Sequence, residues 1–165
     1  MVHELVLVAL PRAEVVWGER TAADRAILRS IPGPASGFHW LDEVRVIPAR
    51  LAEVAFGDVA YPVFPGPDIV DRSGIPTLLG RIACAEGDDL TALVDELELQ
   101  GVRCEDWSTN GNGNHRRGHP PEDPGALPAH GVAIAGTPED AEAALKIWVD
   151  EAPDDRVLLE LGEAP

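Results

Sequence analysis

The sequence predicts an α+β fold: one domain over residues 1–165, a two-layer sandwich with a split β-α-β order in its C-terminal half and an irregular, proline-rich N-terminal half packed on the same sheet. Three observations lead there. Two amphipathic helical stripes in the second half are each flanked by apolar runs of strand length. Pro62, Pro65, Pro67 and Pro76 exclude a long helix from the middle of the chain and favour edge strand and loop. At 165 residues and 45% hydrophobic, a single chain buries about two-thirds of the surface its unfolded form exposes, whereas each half alone is marginal.

The opening "HELVLVAL" alternates as a strand and lacks the basic start and small-residue cleavage site of a leader. "TAADRAILRSI" predicts a short helix capped by Thr21, with Ala23, Ala26, Ile27 and Ser30 inward. "GFHWLDEVRVIPA" is a strand with Val44 and Val46 inward, or Leu41 and Ile47 in the other register. Residues 49–76 resist placement.

From Thr77 the pattern sharpens. "TLLGRIACAE" is a strand, and Leu90, Leu93, Val94 and Leu97 form one helical face that Gly101 ends in the left-handed conformation. "VRCEDW" returns as a strand. After a long connection, "HGVAIAG" suits a central strand. The next helix has Thr137 as N-cap and Pro138 in its first turn, with Ala141, Ala144, Leu145, Trp148 and Ala152 on its stripe, and "RVLLEL" closes the unit. The order from Thr77 to Leu161 resembles the ferredoxin-like split βαβ sandwich in topology.

The connection, residues 108–130, is where the functional question sits. His115 and His119 stand four apart, the spacing of zinc ligands on a helix, but Asn-Gly repeats before them and Pro-Pro after them forbid the helix, and Arg116 and Arg117 between them repel a cation. No metal or cofactor is expected. A phosphate nest over Gly111, Gly113 and Gly118 lacks phosphate-loop spacing, and "DRSGIP" around Ser73 lacks the GxSxG elbow of a serine nucleophile. No catalytic residue is assigned. The segment reads instead as a mobile hairpin tip, a basic spot used for contact, with Trp107 at its root and His115, Arg116, Arg117 and His119 on it.

A formal charge of -16, from 29 acidic against 13 basic residues, disfavours nucleic acid and anionic membranes and steers the chain toward a basic partner. Cys84 and Cys104 belong to no CxxC pair and are expected as buried thiols of a reducing cytoplasm. The reading is therefore a non-catalytic acidic protein-interaction module, a regulator, adaptor or inhibitor of a basic effector protein. Its competitor is a small enzyme or ligand-binding domain with a pocket under the 108–130 loop and His115 or His119 as acid/base.

Overall fold

The computed structural model describes residues 3–85, 87–107 and 127–164. Within them the protein is mixed α+β, mostly strand, with two helices and two sheets, neither closed into a barrel. The chain divides into two compact units, Met1–Ile75 and Pro76–Ala164. Each has its own sheet and its own apolar cluster, so the N-terminal half is a regular seven-stranded sheet of its own where the sequence predicts an irregular segment.

The first unit contains β1 (Glu4–Leu10), β2 (Glu14–Ala22), β3 (Arg25–Leu28), β4 (Glu43–Arg45), β5 (Ala52–Phe56), β6 (Val59–Pro65) and β7 (Asp68–Asp71). They form one sheet in the order β5-β6-β1-β2-β3-β4-β7, antiparallel except for the β1–β6 pair. Alternate residues fill its core: Val6, Val8 and Leu10, then Val16, Ala26, Leu28, Val44 and Phe64, joined by Phe38 and Val46. Packing around Val8 is tight enough that a Cβ on Gly66 would lie 2.4 Å from its Cγ1.

The helix predicted over "TAADRAILRSI" is absent. Thr21 and Ala22 close β2, and after a turn the segment becomes β3, with Ala26 and Leu28 buried and Ala23 exposed. A helix this short is marginal in water, whereas β3 gains ladders from both β2 and β4. Burial of Val44 and Val46 matches the first of the two expected registers, and Leu41 turns the chain with φ +65°.

The second unit contains β8 (Thr77–Cys84), α1 (Gly87–Leu99), β9 (Arg103–Asp106), β10 (Ala129–Ala135), α2 (Pro138–Glu151) and β11 (Arg156–Glu163). Its sheet runs β11-β8-β10-β9, with every neighbouring pair antiparallel. Leu78, Ile82, Cys84, Cys104, Val132 and Ile134 pack with Leu90, Leu93 and Leu97 of α1 and with Ala141, Ala144, Leu145 and Trp148 of α2. Thr137 caps α2 by accepting the Asp140 N–H at 3.2 Å, and Gly101 follows α1 with φ +76°. Arg156 clasps the helices to β11: it donates to Asp89 Oδ1 and to the Trp148 carbonyl, each at 2.9 Å, with its guanidinium 5.3 Å from the centre of the Trp148 ring. Among the described residues no helix is long and apolar enough to cross a membrane.

Both cysteines are buried thiols outside any disulfide. Burial pushes the Cys104 thiol up to about 12, Glu105 and Asp106 adding to the effect, and burial raises Cys84 as well. An acid whose folded value is raised keeps its proton in the native state while the unfolded chain loses it, so stability falls as pH rises. From Cys104 the expected decline is about 1.4 kcal/mol per pH unit, starting near the ordinary thiol value of 9.0 and ending near 12. Urea denaturation on either side of that starting value checks it, with a shallower slope expected in Cys104→Ala.

Candidate interaction surface

Of the residues assigned from the sequence, Trp107 follows β9 directly. Its backbone N–H donates to the Gly131 carbonyl at 3.0 Å, and its half-buried indole donates to Glu105 Oε2 at 3.5 Å. His115, Arg116, Arg117 and His119 lie outside the described residues, as do the glycines of the phosphate-nest reading. The connection itself is shorter than 108–130, because β10 begins at Ala129 and pairs His130 with Ile82. Among the described residues no three His, Cys, Asp or Glu side chains gather as a metal site.

Ser73 does meet an aspartate, which also binds the backbone of His39. The fully buried Asp42 accepts the His39 N–H through Oδ2 and the Ser73 N–H through Oδ1, both at 2.8 Å. The arrangement is a clasp for two loops. Both carboxylate oxygens are taken by backbone N–H groups, the Ser73 hydroxyl accepts from the Ile75 N–H, and the His39 ring stands 3.9 Å from Asp42, beyond hydrogen-bond range.

A surface that sequence reading did not assemble lies on the face of the first sheet opposite its core. Leu7 stands between Val63 of β6 and Trp17 of β2, Val54 opposes Tyr61, and Phe56 opposes Val59. These side chains therefore share one face. Trp17 meets the edge of Tyr61 at 4.9 Å and tilts against Phe56 at 5.1 Å between ring centres. Leu7 and Val63 are buried at the centre of the face, while Phe56 is 52% exposed, Val59 51%, Leu5 47% and Val15 45%. At one end, Arg29 and His3 both bond the Glu19 carboxylate and hold it below the usual carboxylate range, Arg29 with the larger effect.

The signal for this face was present in "VAFGDVAYPV". Apolar residues alternate on both sides of a two-residue Gly-Asp turn, and Gly57, at φ +61° in the first central position, suits the type II′ hairpin. Pro62 disguised it. That proline opposes Glu53, a pair that alternation from the turn leaves without ladder bonds, and it precedes the β1–β6 ladder, which starts at Val63, so its missing N–H costs nothing.

No protein family matches the chain, and no curated protein matches it. Among solved structures, the chain is similar to a hypothetical protein from Neisseria gonorrhoeae, at 15% identity over 99% of this chain and 95% of that one, with a TM-score of 0.36. That likeness is too distant to define a fold or a function.

Proposed function

We propose that the protein is a non-catalytic acidic interaction module of the cytoplasm that binds a basic effector protein as its regulator, adaptor or inhibitor. The observation that carries this reading is the open aromatic face around Trp17, Phe56 and Tyr61. It combines ring types that dominate binding energy with exposed aliphatic neighbours. The net charge of -16 supplies steering toward a basic partner. Trp107 and the connection after it, with His115, Arg116, Arg117 and His119, form a second contact on the C-terminal unit. That unit is read as a ferredoxin-like split βαβ sandwich, supported by its strand order and by the two helices joined to its core.

The test is capture of host proteins by the immobilised full chain, identified by mass spectrometry. Truncating Phe56 to alanine removes an exposed ring and is expected to weaken capture about thirtyfold, the effect of a central aromatic anchor. Replacing Asn110–Pro124 by a short turn is expected to weaken it further. Association is expected to slow in about 0.5 M salt, where screening acts within about 4 Å. Capture indifferent to both substitutions and to salt would overturn the reading.

A further inference from the structure

We infer that the protein forms a twofold homodimer in which the β5 edges of two copies pair antiparallel about Val54, continuing the N-terminal sheet from one copy into the other. The two sheets end in four edge strands: β5 and β7 in one, β9 and β11 in the other. Three carry the devices that block edge pairing. β11 has a register shift at Leu159, β9 is short with Arg103, Glu105 and Asp106 among its residues, and β7 is short with aspartate at both ends. β5 carries the fewest of these. Its ladder with β6 is unshifted, all five residues are exposed, it contains no proline, and Glu53 is its one charge.

The backbone selects the register. A two-residue turn makes Phe56–Val59 a hydrogen-bonded pair, so alternation directs the N–H and C=O groups of Ala52, Val54 and Phe56 toward β6 and those of Glu53 and Ala55 outward. Antiparallel pairing centred on Val54 sets Glu53 of each copy against Ala55 of the other. That is the centring that engages both outward residues of both strands. Centring on Glu53 would bring in Leu51, whose N–H is already given to the Val63 carbonyl, and centring on Ala55 would bring in the turn residue Gly57.

Side chains agree with this register. Val54 meets Val54 of the second copy, and Ala52 meets Phe56, so the two aromatic faces become continuous. Arg50 precedes the strand and Asp58 lies in the turn that follows it, so antiparallel pairing brings opposite charges to the same end of the seam. Glu53 is already neutralised by Arg50 of its own strand at 2.6 Å. Between Ala49 and Tyr61 the charged residues are Arg50, Glu53 and Asp58, so the acidity of the chain is concentrated elsewhere and is screened over a Debye length of about 8 Å at physiological salt.

Two experiments on the full chain test the dimer. Light scattering and sedimentation across a concentration series are expected to show a dimer that Ala55→Pro weakens at least about tenfold, because the ring removes an outward N–H from each strand. Retained circular dichroism is expected, since that N–H serves no ladder bond within one copy. In the second experiment, Val54→Cys places two thiols in a non-hydrogen-bonded pair with Cα atoms about 4.5 Å apart, within disulfide range. Mild oxidation is then expected to link two copies through position 54 far faster than in Glu53→Cys, whose thiols sit diagonally. Cys84 and Cys104 are buried and do not compete. Three results would overturn the proposal: a monomer at every concentration, which would leave the edge to a partner's strand; a dimer untouched by folded Ala55→Pro; or equal cross-linking at positions 53 and 54.

Discussion

Replacing Trp148 with alanine is expected to unfold the C-terminal unit under conditions where the natural chain is folded. The side chain is fully buried between α1, α2 and the sheet, and its truncation leaves a cavity costing about 3–5 kcal/mol. Two polar links fail with it. The indole N–H donates to the Asp89 carbonyl at 2.8 Å, and the ring carries the Arg156 guanidinium that reaches Asp89 and Glu151. Against a total stability of about 5–15 kcal/mol for a domain, the loss removes a large share. Hydrogen exchange checks it, with protection expected to collapse along β8, β10 and the helices. Trp148→Phe keeps most of the volume and loses the N–H, so a smaller cost of about 1–3 kcal/mol is expected. Equal stability of the natural and Trp148→Ala chains would contradict the account of this core.

Asp42→Ala is expected to cost the N-terminal unit about 3–5 kcal/mol, since removing the acceptor leaves two N–H groups without their carboxylate. The carboxylate is fully buried and ties the turn at His39 to the segment at Ser73, more than thirty residues later in the chain. Asp42→Asn retains one acceptor oxygen and turns an amide NH2 toward the other donor, so an intermediate loss is expected. The site-specific readout is amide exchange at His39 and Ser73, expected to quicken in both variants and most in alanine. Unchanged exchange at Ser73 would show that the clasp does not hold that loop. Activity against a serine-hydrolase probe, lost in Ser73→Ala, would contradict the account of Ser73 as part of a clasp.

How much was legible in the residues differs between the two units. In the second, Leu90, Leu93 and Leu97 recur at helical spacing, Thr137 and Pro138 mark a helix start, and each helix lies close in sequence to the strands it covers. Local chemistry sufficed there, including the burial of Cys104 and Trp148. Trp107 was legible as a strand-end aromatic at the root of the connection, and it does follow β9.

The first unit depended on pairing between distant segments. Ala26 and Leu28 suit a helix or a strand equally over so short a span, and the ladders from β2 and β4 decided between them. The aromatic face needed three partnerships at once, β5 with β6, β6 with β1 and β1 with β2, before Trp17, Phe56 and Tyr61 met. Asp42 looks like any loop aspartate until Ser73 arrives from across the fold. By itself, then, the sequence determined the α+β composition, the C-terminal helices and their buried faces, and the acidic field, because each follows from propensity, period and charge acting over a few residues. The tertiary structure decided the division into two units, the N-terminal sheet, its open face and its bare edge, because strand register is set by long-range hydrogen bonding and by which side chains other strands bury.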